Sequence, residues 1–214
     1  MSAQQDGMTR TELLKASPPM FESRLLDACS RVHPSVPVIL FLPAIVALLV
    51  VGMGRAGTLA AVGLALGGYV FWTLTEYWMH RIVFHFEPEE GLGAKLHWII
   101  HGVHHDHPND RMRLVMPPSV SVPLAVLFLL LFWFVLGAMY APAFGAGFLA
   151  GYLIYDMTHY HVHHHTPRTR AGRRLRELHM RHHFQDDTTG YGVSAPWWDH
   201  VFRTATRPTA RRRT

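Results

Sequence analysis

The histidines carry the chemistry that this chain can do. His101-Gly-Val-His104-His105 and His179-Met-Arg-His182-His183 repeat one spelling, and two spaced pairs, His80 with His85 and His159 with His163, accompany it. Residues three and four apart share a helix face, so each HxxHH run can aim its rings at a common point. Neutral imidazole is the commonest nitrogen ligand for zinc, iron and copper. These ten histidines therefore read as metal ligands. A structural zinc site needs four ligands, commonly with cysteine among them, whereas ten supply two ions with five each. The single cysteine, Cys29, excludes a disulfide within the chain and reads as a buried, inert thiol.

Membrane spans must position these ligands. Of the 214 residues, 36–54 and 56–75 carry no charge, and 114–155 carry neither charge nor histidine. A helix needs about 20 apolar residues to cross roughly 30 Å of hydrocarbon, so the last run is long enough for two spans. Gly137, Pro142, Gly145 and Gly147 fall near its middle, and Tyr140-Ala141-Pro142 is read as the tight outer turn. The reading is an all-α integral membrane protein with four transmembrane helices, near 36–54, 56–79, 118–139 and 142–160, under a cytosolic helical cap. A soluble protein is a poor alternative, because a chain this small cannot bury three such apolar blocks.

Charge orients the spans. Of 20 Lys and Arg, four precede the first span, four lie between the second and third, eleven follow the fourth, and only Arg55 falls on the opposite side. The positive-inside rule places both termini and all four histidine clusters in the cytoplasm. Anionic lipid headgroups are the simplest partner for the formal charge of +5. Nucleic acid is not expected as a partner, since the basic residues flank spans and lack interleaved aromatics.

Residues 1–16 read as a disordered N-terminus, 17–204 as the membrane domain and 205–214 as a basic tail. Within 17–30, Met20, Phe21, Leu25, Leu26 and Cys29 recur at helical intervals, which suggests an amphipathic helix on the membrane surface. Beside the ligands stand three side chains suited to support them. Glu76 is four before His80, while Tyr155 and Asp156 are four and three before His159. A metal-bound histidine usually gives its second N–H to a carboxylate or carbonyl, so Glu76 and Asp156 are candidates for that role. His80 and His85 are about 140° apart on a regular helix, so the helix must distort between them if both bind metal. His97 and His107 read as hydrogen-bonding or surface residues, and 166–177 as a basic surface facing solvent or lipid headgroups.

Two ions beside a bilayer, held by imidazole without thiolate, suit O2-dependent oxidation of an unactivated C–H bond in a lipid chain. Iron is expected for activity, and zinc can occupy the same ligands. The clusters resemble the integral-membrane fatty acid hydroxylase superfamily. Residues 76–85 (EYWMHRIVFH), 96–105 (LHWIIHGVHH), 113–118 (RLVMPP), 151–160 (GYLIYDMTHY), 179–184 (HMRHHF) and 17–26 (SPPMFESRLL) are similar to its fatty acid 2-hydroxylase branch, the sphingolipid α-hydroxylases. The resemblance implies hydroxylation at C2 of an acyl chain. It also implies one ion on His80, His85, His101, His105 and His182, and the other on His104, His159, His163, His179 and His183. Eukaryotic members carry a cytochrome b5 domain, for which about 35 residues before the first span leave no room. A separate electron donor, cytochrome b5-like or a ferredoxin with its reductase, is therefore expected. Two other readings stand beside this one: carotenoid or sterol hydroxylation or desaturation within the same superfamily, and a membrane zinc-binding or transport protein.

Overall fold

The computed structural model describes residues 7–86, 88 and 90–206. Among them every regular element is helical. Helices α1 (Arg10–Lys15) and α2 (Arg24–Cys29) precede the long apolar pair α3 (Ser35–Ala56) and α4 (Thr58–Trp78). The chain then runs through α5 (Gly91–His97), α6 (Val103–Asp106), the 47-residue α7 (Pro118–His164), α8 (Arg170–Phe184) and α9 (Trp197–Val201). Three helical segments, Ser35–Ala56, Thr58–Phe84 and Pro118–His164, are long and apolar enough to cross a membrane. Their large side chains face outward, as at Leu59 and Phe134, which are 89% and 83% exposed. Only a hydrocarbon solvent makes that favourable.

α7 is two limbs. Gly137 has φ 73° and ψ 171°, outside helical space, and glycine reaches that φ without a Cβ penalty. The limbs 118–136 and 138–164 fold back on each other, with ring centroids of Phe132 and Phe144 4.9 Å apart and those of Phe128 and Phe148 4.7 Å apart. The reversal thus lies at Gly137 and not at Tyr140-Ala141-Pro142. Ala141 and Pro142 are buried inside the second limb, as are Gly145 and Gly147. The 27 residues of that limb rise about 40 Å, more than the roughly 30 Å of a hydrocarbon core, and His159 and His163 stand at its C-terminal end.

The N-terminal segment is more ordered than its composition suggests. Thr9 and Glu12 form a capping box around α1, and the carbonyls of Leu13 and Leu14 accept from His107 Nδ1 (2.6 Å) and Asn109 N (2.9 Å). This corrects the expectation of disorder over 10–15; residues 1–6 lie outside the described chain, as do 207–214 of the tail. The expected amphipathic helix shortens to α2, because Pro18-Pro19 cannot continue a helix. Its Asp27 carboxylate instead gathers Met20 N (2.7 Å), Arg31 (3.2 Å) and Arg113 (2.7 Å). Cys29 is exposed on α2, contrary to the expectation of burial.

Candidate metal centre

All ten predicted histidines meet at one end of the bundle, in two sets of five. His80, His85, His101, His105 and His182 form one set, and His104, His159, His163, His179 and His183 the other; within each, the ligand atoms lie within 4.8 Å of one another. Local backbone geometry explains how. Beyond Trp78 the fourth helix widens into a π-helix, Met79–Phe84, closed by a His85 N–H to His80 C=O bond of 3.2 Å. An i→i+5 turn brings residues five apart nearly into line, which a regular α-helix does not. A second π-turn, Trp98–Gly102, delivers the first HxxHH. Its outer histidines, His101 and His105, join the first set while His104 turns to the second; in α8 the split is reversed, with His179 and His183 in the second set and His182 in the first. The two sets abut where the His105 and His183 rings stack at 4.2 Å.

The Nε2 atoms face inward at short range. His85 lies 3.3 Å from His80 and 3.0 Å from His182, His101 lies 3.0 Å from His105, and His104 lies 3.0 Å from His183 and 3.1 Å from His159. His179 is 2.8 Å from His163 and 3.1 Å from His183. Nitrogens bound at 2.0–2.1 Å with near-right angles would stand about 2.9 Å apart. The tautomers fit a cation as well. His80 Nδ1 bonds Tyr191 O (2.7 Å) and His182 Nδ1 bonds Thr189 O (2.8 Å). A carbonyl only accepts, so each Nδ1 carries the proton and each Nε2 presents a lone pair to the centre. Burial, reinforced by neighbouring imidazoles, pushes His85 down to about 3 and His105 down to about 2, and holds His101, His104, His179 and His183 well below the usual imidazole range. Neutral rings with converging lone pairs repel unless a cation lies between them. Each set can hold a metal ion.

The candidate supporting side chains work less directly than expected. Glu76 is buried, but its carboxylate accepts from Ser194 N (2.7 Å) and Ser194 Oγ and does not bond His80. Asp156 likewise does not bond His159: its oxygens accept from Met116 N (3.3 Å) and lie 3.5 Å from Tyr152 OH. Tyr155 does meet the site, its ring stacked on His159 with centroids 5.7 Å apart. His97 and His107 hydrogen-bond to the carbonyls of Phe84 and Leu13. The basic stretch 166–177 is mostly exposed, but Arg176 turns in to cap the end of α7 at His165 O (2.8 Å) and Val162 O.

Asp199 was not read as part of the site. It accepts from Tyr191 N and Gly192 N, both at 2.9 Å, and from Thr204 Oγ1 at 2.8 Å. That grip aims the Tyr191 carbonyl at His80, and Glu76 anchors the same loop at Ser194. Asparagine at 199 would turn an N–H2 toward one of these donors. Asp199→Asn should therefore lower metal affinity of the first set about 10–100-fold. Metal titration of the purified variant reads this, and wild-type affinity would exclude the role.

The fatty acid hydroxylase family model matches residues 65–204, a stretch that holds all ten histidines. The chain belongs to the fatty acid hydroxylase family. It is 36% identical over 189 residues to "Dihydroceramide fatty acyl 2-hydroxylase FAH2" of Arabidopsis thaliana, covering 87% of this chain and 79% of that one. It is also 36% identical to "Ceramide very long chain fatty acid hydroxylase SCS7" of Saccharomyces cerevisiae, covering 92% of this chain and about half (51%) of the yeast protein. Among solved structures, "Full length scs7p (only hydroxylase domain visible)" superposes with a TM-score of 0.86, over 92% of this chain and 75% of that one. This member of the family is an integral membrane, metal-dependent hydroxylase with its ligand sets at the end of the helical bundle.

Proposed function

We propose that the chain hydroxylates C2 of a fatty acyl chain, free or within a complex lipid, in an O2-dependent reaction at two histidine-held ions. The observation that carries this reading is a juxtaposition. A largely apolar pocket lies between α4 and both limbs of α7, and two of its lining side chains reach the ligand sets. Phe84 lines it and stacks on His101 at 5.0 Å, and Tyr155 lines it and stacks on His159. An acyl chain in this pocket would present its carbonyl end to the histidines, and the name of the Arabidopsis relative, a fatty acyl 2-hydroxylase, agrees with C2 as the reacting carbon.

The ligand sets are His80, His85, His101, His105 and His182 for one ion and His104, His159, His163, His179 and His183 for the other. Iron there supplies the oxidation of the C–H bond; zinc would fill the same ligands without turnover. Inserting one atom of O2 while the other leaves as water takes two electrons and two protons from outside the substrate. A cytochrome b5-like protein or a ferredoxin, with its reductase, delivers the electrons in this reading. Both limbs of α7 count as spans, giving four, with the histidine end and the termini in the cytoplasm. The charge distribution supports that orientation. Arg55, the one basic residue at the far end, bonds Ala138 O (2.7 Å) between the turns at Gly57 and Gly137.

Lipid extracted from cells expressing the chain should contain acyl chains heavier by one oxygen, with fragmentation placing it at C2, and the purified chain should carry about two ions. A folded chain with two ions that yields no oxygenated lipid would overturn the reading; oxygen on a sterol or carotenoid instead would replace its substrate.

A further inference from the structure

At the end of the pocket away from the histidines stand aromatic rings on backbone that cannot yield. Phe148 is 1% exposed, and its ring packs against Phe128 at 4.7 Å and Phe132 at 5.0 Å. Phe128 and Phe148 line the pocket, while Phe132, 4% exposed, backs them. At this level α4 and the second limb of α7 are in backbone contact: a Cβ on Gly68 would fall 2.0 Å from Phe144 O and 2.9 Å from Phe148 N, and one on Gly147 would fall 1.8 Å from Ala65 O. Phe148 therefore has no room to recede into α4, and close-packed rings behind it leave no void to fall into.

The level of these rings along α7 is also informative. From His159 to Phe148 is eleven residues of α-helix, about 16 Å. Half of the roughly 30 Å hydrocarbon core is about the same distance, and half the core is the length of one ordinary membrane acyl chain. We propose that the Phe128–Phe132–Phe148 stack is a length stop, which sets the longest acyl chain that can lie fully within the pocket with its carbonyl end at the histidines. This rests on the hydroxylase reading above. A chain that exceeds the stop has to buckle or leave part of its apolar length outside the pocket, and lengths up to the stop gain binding with each methylene buried.

The test measures kcat/KM for a series of saturated acyl substrates of increasing length, with wild type, Phe128→Ala and Ala125→Leu, each supplied with reductase and carrier. Phe128 is half-buried, so truncation there disturbs the core less than at Phe148. Wild type should show a fall beyond one length. Phe128→Ala should move the fall to longer chains, with about a tenfold or larger gain for substrates just beyond the wild-type limit. Ala125→Leu, which adds bulk to the pocket wall one turn nearer the histidines, should move it to shorter chains. If wild type is active and both variants keep its length profile, the tail leaves sideways into lipid and the stop is refuted. A wild type that hydroxylates no acyl chain refutes the hydroxylase reading instead. Should Phe128→Ala fail to fold, Phe128→Leu and Ala125→Leu are read against the same two outcomes.

Discussion

His163→Ala should reduce the purified chain from about two bound ions to one and lower hydroxylation at least about 100-fold, while His164→Ala and His165→Ala keep both ions. The three neighbours differ only in where the end of α7 points them. His163 is 6% exposed, with Nε2 2.8 Å from that of His179 and its ring 4.8 Å from His104 and 4.7 Å from His183. Removing it opens one side of the second set and leaves four nitrogens whose approach it helped to fix. His164, one residue on, turns away and lies against Tyr160, with centroids 4.5 Å apart. His165 stacks on His161 at 5.2 Å on the exposed side. Loss of His165 should change activity no more than about twofold, the usual range for a surface substitution. Metal analysis together with product formation checks all three variants. A His163→Ala chain with two ions and full rate, beside a His164→Ala or His165→Ala chain that lost one, would mean that the second set is wrongly assigned.

The legible part of this molecule was the part governed by local spacing. HxxHH on a helix says that three rings share a side, and uncharged runs of about 20 residues say that a helix crosses lipid, because both follow from 3.6 residues per turn and from hydrocarbon thickness. The extension of α7 to His164 follows from the same periodicity, since His159 and His163 align only if the helix continues. How each triplet divides between two sets was not legible from spacing, because it depends on the direction from which α7 and α8 approach the α6 segment. Nor was the support of His80 and His182. Glu76 and Asp156 stand at the right sequence distance to hold a ligand, yet their carboxylates serve the 191–194 loop and the Met116 backbone. The partners that the ligands do use are main-chain carbonyls, of Tyr191 and Thr189, and a carbonyl has no letter in a sequence. Asp199 carried a faint signal: an acidic residue inside the aromatic run 197–202 must have buried donors to satisfy it.

Glycine was the most misleading residue type, and it supports the second large expected effect. Gly137, Gly145 and Gly147 look alike in the sequence, as breakers in an apolar run, but only Gly137 adopts a conformation that requires glycine. Gly147 is regular helix, and its lack of a side chain lets α4 touch: an added Cβ would sit 1.8 Å from Ala65 O and 2.5 Å from the carbon bearing it. Backbone on both sides leaves no flexible side chain to move aside. Gly147→Ala should therefore push α4 from the second limb of α7 and cost about 3 kcal/mol or more, the upper range for overpacking. The contact positions the metal centre as well as the floor of the pocket, since α4 leads to His80 and His85 while the second limb carries His159 and His163. Separating the helices would pull the two ligand sets apart at the bundle's end, so metal content and thermal stability in detergent should fall together. Gly63→Ala is the control, as a Cβ there meets nothing within 4 Å and alanine is the better helix former. Equal stability and metal content in both variants would show that α4 and α7 do not approach this closely in the membrane.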